Sequence, residues 1–194
     1  MENFRQVLQE KQTFSLESLR LHKEEIMEEV VNYFGERLTR LAYTYEKDWG
    51  KAEDIVQEVF ITCYSKLETF RGEGSLKNWL YKITVNRCKD HLKSWSYRNL
   101  WFGNPFSLFK QEQDNKTPEL WLIVEDEYNE LANSILELPL KYRELIILYY
   151  QEEMPLSEIS LMLNVKTATL KSRLFQARKL LRTSLEKGAD FDGR

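Results

Sequence analysis

From Ile26 to Tyr45 the apolar residues Ile26, Val30, Tyr33/Phe34, Leu38 and Leu41/Ala42 recur every three or four positions, the repeat of an amphipathic helix. The same spacing predicts a second helix from about Ala52 to Thr69, broken by the two glycines of Arg71-Gly72-Glu73-Gly74-Ser75, and a third from Leu76 to about Trp95. Beyond Arg98 the pattern gives way to turn formers, Gly103-Asn104-Pro105 and the polar run from Gln111 to Pro118. Helical spacing resumes near Glu127 and continues to about Lys187, interrupted at Pro139 and Pro155, each of which should end or start a helix. Strand-like alternation and internal repeats are lacking. The expected fold class is all-α, with two small helical domains joined by a flexible polar linker. Residues 1–25 scatter Phe4, Val7, Leu8, Phe14, Leu16 and Leu19 among polar neighbours without a clear stripe, and read as an N-terminal extension.

Composition narrows the class. A chain of 194 residues with 42% hydrophobic and 30% charged residues suits one larger or two small globular domains rather than a tail or fibre. Its two cysteines, Cys63 and Cys88, are too few for a disulfide framework, and the start has no secretory pattern, so a cytoplasmic protein without membrane insertion is expected. The longest apolar block, Leu145 to Tyr150, falls far short of the ~18 residues a membrane span needs.

Charge is distributed unevenly. Seven basic residues face two acids between Arg71 and Arg98, a net of +5, and seven face one acid between Lys166 and Lys187, a net of +6. The rest of the chain must then hold −14 to reach the total of −3. Potentials are screened over roughly 8 Å, so two basic islands can meet a polyanion despite an acidic total, although Lys and Arg also simply solvate helix faces. In the second island, Leu156, Ile159 and Leu163 should face inward on a short helix. Asn164-Val165 makes a turn, and a longer helix opens at Lys166 or Thr167 with Leu170, Leu174, Ala177, Leu181 and Leu185 as its buried stripe. This is a helix-turn-helix whose second helix can lie in a major groove, with Thr167, Thr169, Lys171, Ser172, Arg173, Gln176 and Arg178 as candidate contacts. A surface helix of an ordinary bundle would show the same basic face.

The first island is read similarly. Lys82, Asn86, Lys89 and Lys93 form one polar-basic face, opposite Leu76, Leu80 and Ile83. Trp79 and Tyr81 are interleaved, as single-stranded DNA binding would want, though core burial is the ordinary explanation for Trp79. On the second helix Ile55, Val56, Val59, Phe60, Cys63 and Leu67 gather on one side. Asp54, Gln57, Glu58, Ile61 and Ser65 gather on the other, an apolar centre with a polar rim that fits a small protein-binding patch.

These segments together resemble the extracytoplasmic-function (ECF) family of bacterial sigma factors. Ala52-Glu53-Asp54-Ile55-Val56-Gln57-Glu58-Val59-Phe60 is similar to region 2.2, and Phe70 to Ile83 with Asn86-Arg87 is similar to regions 2.3 and 2.4. Leu138-Pro139 through Tyr150, Leu156-Ser157-Glu158-Ile159, Leu170 to Leu174 and Ala177-Arg178-Lys179 are similar to region 4. The resemblance implies a region 2 domain at 26–98, an acidic linker at 99–128, a region 4 helix-turn-helix domain at 129–187 and a tail at 188–194. It implies core RNA polymerase and promoter DNA as partners, with an anti-sigma factor as regulator. Asp54, Gln57, Glu58 and Ile61 would dock on the clamp helices of the largest polymerase subunit. Arg71, Gly72, Ser75, Lys77, Asn78, Asn86, Lys89 and Lys93 would handle the minus-ten element, and the helix-turn-helix residues the minus-thirty-five element, its other surface meeting the polymerase flap. The linker from Trp101 to Pro118 would thread toward the RNA exit path. Departures are Pro155 where the family often has Ser or Thr, Ala168 for a frequent Gly, and Phe175-Gln176 for a more basic pair.

Catalytic chemistry is not expected: there is no phosphate-cradling loop, nucleophile elbow or HExxH. Cys88 and His91 are too few ligands for a metal site, and no cofactor is implied. Two other readings stay open from the residues themselves: a free-standing helix-turn-helix regulator and a helical adaptor that binds only protein.

Overall fold

Acids in its first turn mark the start of the first helix in the sequence, and a left-handed residue just past its last turn ends it in the structure. Helix α1 runs Lys23–Glu46, with Glu24 and Glu25 complementing the positive pole of the helix dipole. Lys47 follows at φ 53°, a conformation that stops further helical hydrogen bonding. The computed structural model describes residues 22–67, 75–102 and 126–192, and fixes only the backbone course of 95–102, 126–129 and 187–192. Most of the extension, the loop Arg71 to Gly74, the linker from 103 to 125 and the last two residues lie outside the described residues. The chain divides into two compact units, Met1–Glu46 with Gly50–Lys110, and Gln111–Arg194 with Lys47–Trp49.

In the first unit α1 is joined by α2, Trp49–Lys66, and α3, Leu76–Phe102. The α1 stripe is buried as its spacing predicts: Ile26, Val30, Phe34, Leu38, Leu41 and Ala42 all lie in the core. Ala52, Ile55, Val56, Val59 and Cys63 come in from α2. On α3 the inward row is Leu76, Leu80, Tyr81, Thr84, Val85 and Cys88, whereas Ile83 is half-buried. Tyr81 is thus a core residue, packing edge-on against Phe34 with ring centroids 6.3 Å apart, and is not available to stack on a base. Removing a ring such as Phe34 should cost about 3–5 kcal/mol, because the cavity adds to the lost transfer energy.

Two polar devices support this core, one inside it and one at its edge. Thr84 satisfies its hydroxyl on the Leu80 carbonyl at 2.9 Å. His91 of α3 places Nδ1 2.9 Å from the carboxylate of Glu46, the last and buried residue of α1. Helix α3 also continues to Phe102, beyond the expected end near Trp95 and into the segment read as linker.

In the second unit α4 spans Asp126–Glu137, α5 spans Leu140–Ile146, α6 spans Leu156–Leu163 and α7 spans Thr167–Asp192. Both internal prolines act as the sequence predicts. Pro139 and Pro155 occupy the position just before α5 and α6, where their carbonyls accept the first helical bonds, from Tyr142 at 2.8 Å and Glu158 at 2.9 Å. Arg143, buried in α5, donates to the Leu136 carbonyl in the last turn of α4 and so meets the negative end of that helix. Leu145, Leu148, Met154, Ile159, Leu163, Leu170, Leu174 and Ala177 form the core.

One element was not legible beforehand. After α5 the chain widens into a π turn, Ile147–Gln151, in which the Glu152 N–H reaches back to the Ile147 carbonyl at 3.0 Å. The Met154 N–H then bonds the Leu148 carbonyl at 3.0 Å, and Glu153 turns the chain at φ 52°.

Burial has a measurable chemical consequence in the first unit. It lifts the Cys63 thiol from an ordinary 9.0 to about 12 and raises that of Cys88 as well, where Glu46 adds to the effect. An unfolded thiol ionises above its ordinary value while the folded one stays neutral. The thiols therefore favour the fold below pH 9, and that contribution is lost as the pH climbs from 9 toward 12. Urea midpoints of the first unit should fall over that interval, and iodoacetamide should label Cys63 at a rate that rises with urea rather than at the rate of a free thiol.

Candidate nucleic-acid interface

Helix α7 buries Leu170, Leu174 and Ala177 and so, at 100° per residue, turns Ser172, Phe175 and Lys179 directly away from the core. Lys171 and Arg178 line one flank of that outer face, and Thr169 and Gln176 the other; all four are exposed. Thr167, at the helix start, and Arg173 are half-buried. The Ser172 hydroxyl donates to the Ala168 carbonyl at 3.2 Å, which leaves its oxygen able to accept. Arg182, further along, is held by Glu186 at 2.7 Å.

The approach to α7 is set by Asn164, which closes α6 in the left-handed conformation at φ 54° and ψ 48°. The Val165 N–H then returns to the Ser160 carbonyl at 3.1 Å, so the reversal occupies three residues between the helices. Asn tolerates this conformation where a β-branched residue does not. The helix-turn-helix is therefore present at the residues the sequence assigned to it.

Sequence reasoning missed three side chains of this unit. Phe175, 65% exposed on the outward face, is an apolar group where a DNA-reading helix can meet a thymine methyl. Leu161 is 79% exposed on α6. Tyr150, in the π turn, accepts a hydrogen bond from Arg178 Nε at 2.6 Å, with the guanidinium 5.6 Å from the ring centroid. Phe175 and Leu161 could have been found by asking which apolar residues fall off the buried stripe; Tyr150 could not, because its position depends on the π turn.

In the first unit the α2 residues Asp54, Gln57, Glu58 and Ile61 are all exposed, on the face turned away from Ile55, Val56, Val59 and Cys63. Ile61 is 70% exposed, and Tyr64 extends the apolar surface by one turn. Glu58 lies 3.6 Å from Arg87 of α3, which also donates to the Thr62 hydroxyl at 3.3 Å.

The basic face of α3 is formed by Lys82, Asn86 and Lys93, all exposed, with Lys89 half-buried between them. Lys93 has Asp90 3.5 Å away. Arg71 and Gly72 lie outside the described residues. Lys77 is half-buried with Nζ 5.7 Å from the centre of the Tyr81 ring, and Asn78 and Trp79 are half-buried. Ser75 has a job of its own: its hydroxyl accepts the Asn78 N–H at 3.1 Å, the geometry of a helix N-cap. Among the described residues no three His, Cys, Asp or Glu side chains gather to hold a metal.

Comparison with known proteins settles the family. The Sigma-70 region 2 family matches residues 30–96 and the Sigma-70, region 4 family matches residues 128–181. The ECF RNA polymerase sigma factor SigW of Bacillus subtilis (strain 168) is 30% identical over 163 residues, covering 81% of this chain and 87% of that protein. The chain belongs to the ECF sigma factors. RNA polymerase sigma factor SigV of the same organism is 36% identical over 155 residues, covering 76% of this sigma factor and 84% of its own length. Among solved structures, the sigma factor RpoE in complex with the anti-sigma factor NepR from Bartonella quintana shares the fold of this sigma factor, with a TM-score of 0.67 and 20% identity. That match covers 82% of this chain and 96% of RpoE.

Substitutions at two positions test how the sigma factor's helices are seated. Ser75→Ala should destabilise the first unit by about 1 kcal/mol through loss of the cap. Asn164→Val should cost the second unit about 1–2 kcal/mol, whereas Asn164→Gly should be close to neutral, because only the former strains the left-handed turn. Urea unfolding followed by circular dichroism reads both.

Proposed function

We propose that this sigma factor docks on core RNA polymerase through α2 and grips promoter DNA with both units. The observation that carries the docking is Ile61: a 70% exposed isoleucine ringed by exposed Asp54, Gln57 and Glu58 has no use in the core of its own unit. It suits the centre of a protein interface, where an apolar anchor is surrounded by a polar rim. The clamp helices of the largest polymerase subunit are the partner that the family supplies.

The basic row Lys82, Asn86, Lys89 and Lys93 on α3 would meet the minus-ten strand, together with Lys77, Asn78 and the Arg71, Gly72 and Ser75 loop. Ser75 contributes there chiefly by starting α3 at a fixed point. Helix α7 would enter the major groove of the minus-thirty-five element with Thr167, Thr169, Lys171, Ser172, Phe175 and Gln176 toward the bases, and Arg173 and Arg178 toward phosphates. Exposed Leu161 gives α6 an apolar point for the polymerase flap. Residues 26–98 and 129–187 are the working domains, and 99–128 the acidic connection between them.

RpoE is solved in complex with the anti-sigma factor NepR, and CnrH, a second structure of this fold, in complex with the cytosolic domain of CnrY; we extend to this chain an anti-sigma partner. The role is one of binding rather than catalysis, exercised in the cytoplasm; no described helix is long and apolar enough to cross a membrane.

A gel shift on promoter fragments tests the reading. The chain alone should bind duplex DNA weakly, and addition of core polymerase should give a sequence-selective complex. Ile61→Asp should weaken core binding by at least about tenfold with the circular dichroism spectrum unchanged, in line with loss of an interface anchor. Selective binding by the chain alone would instead mark a free-standing regulator, and full activity after Lys171→Ala together with Arg173→Ala would mark a protein-only adaptor.

A further inference from the structure

The π turn after α5 buries Ile147 and Leu148, and wide turns of this kind recur at functional sites. What it positions is a pair of tyrosines. Tyr149 is half-buried and stands edge-on to Tyr150, with ring centroids 5.0 Å apart and planes at 90°. Tyr150 is left 49% exposed with its hydroxyl 2.6 Å from Arg178 Nε. The ring also lies under the guanidinium, 5.6 Å from its central carbon. Arg178 is thereby fixed by two contacts to one side chain, while its two terminal nitrogens remain available as parallel donors. The Tyr150 oxygen accepts from Nε, so its own proton is free to be donated outward.

Three donors converge at this point on the flank of α7. Along the helix Arg178 lies nine residues beyond Thr169, about 14 Å at ~1.5 Å per residue, against a major groove about 12 Å wide. A helix that reads bases with its first three turns therefore brings Arg178 to the wall of the groove, where the next available anion is a phosphate.

We infer that Tyr150 is a positioning residue for promoter binding. Its hydroxyl holds Arg178 so that the guanidinium and the tyrosine O–H together seat one backbone phosphate at the edge of the minus-thirty-five element. The inference rests on the proposed placement of α7 in the major groove and adds a residue from outside the helix-turn-helix. It also gives the π turn a purpose: the turn carries the tyrosine to the arginine.

The test uses holoenzyme reconstituted from full-length chain and core polymerase, with anisotropy of a labelled promoter fragment measured over graded salt. Arg178→Ala should lower affinity and reduce the salt slope by about one unit, the signature of a lost phosphate contact. Tyr150→Phe keeps the ring and the charge and should weaken binding by roughly three- to tenfold, as expected for loss of one charge-assisted hydrogen bond. The double variant should lose less than the sum of the two single losses, because Tyr150 acts in large part through Arg178. As a measure that does not depend on variant folding, neutral methylphosphonates are placed singly at the phosphates flanking the element. With wild-type protein one position should reproduce the slope change, and at that position Tyr150→Phe should have no further effect. Wild-type affinity for Tyr150→Phe, full additivity in the double variant, or no sensitive phosphate would overturn the role of Tyr150 while leaving the groove placement standing. An unchanged slope and affinity for Arg178→Ala would remove the phosphate assignment itself, and the role of Tyr150 with it.

Discussion

The burial of one narrow apolar stripe per helix is the constraint on which this sigma factor depends. Leu170, Leu174 and Ala177 must face inward for α7 to pack at all, and that choice turns Ser172, Phe175 and Lys179 outward. The same holds for α2, where burying Ile55, Val56, Val59 and Cys63 leaves Ile61 in solvent. The proposed recognition surfaces are the complements of packing surfaces. A core substitution that rotated a helix by even a fraction of a turn would misdirect its outer face without touching a single contact residue.

The ends of the helices matter as much as their faces, because they decide where a proposed contact residue lies along the axis. Each end is fixed by a local device: the Ser75 hydroxyl at the start of α3, the proline carbonyls before α5 and α6, the left-handed Asn164 after α6. Such devices act within three or four residues of sequence and are individually worth about 1 kcal/mol, enough to select one starting residue over its neighbour.

That locality explains what could be read from the chain alone. The α6–turn–α7 sequence was legible apart from the choice of Lys166 or Thr167 as its second start, since Pro155, Asn164 and the leucine spacing are all signals between near neighbours, whereas α7 runs on past Lys187 to Asp192 and leaves Leu181 and Leu185 only half-buried. The α2 patch was equally legible from its four-residue rhythm. The continuation of α3 to Phe102 was not, because propensity alone gives no reason to prefer helix over linker there. Nor was the interior place of Tyr81, which follows from the setting of α3 against Phe34 of α1 rather than from its own neighbours. The Tyr150–Arg178 contact joins residues 28 apart, a range at which spacing rules are silent.

The Glu46 and His91 pair joins the final residue of α1 to the interior of α3 at 2.9 Å. A slip of α3 by one turn, about 5.4 Å, would carry the ring out of reach of the carboxylate, and so would a quarter rotation about its axis. The pair works like a key in a slot: it admits one axial position and one angular setting of α3. Because Asn86, Lys89 and Lys93 ride on the same rigid rod, a contact between a half-buried histidine and a buried carboxylate helps set the direction in which its outward polar groups are aimed.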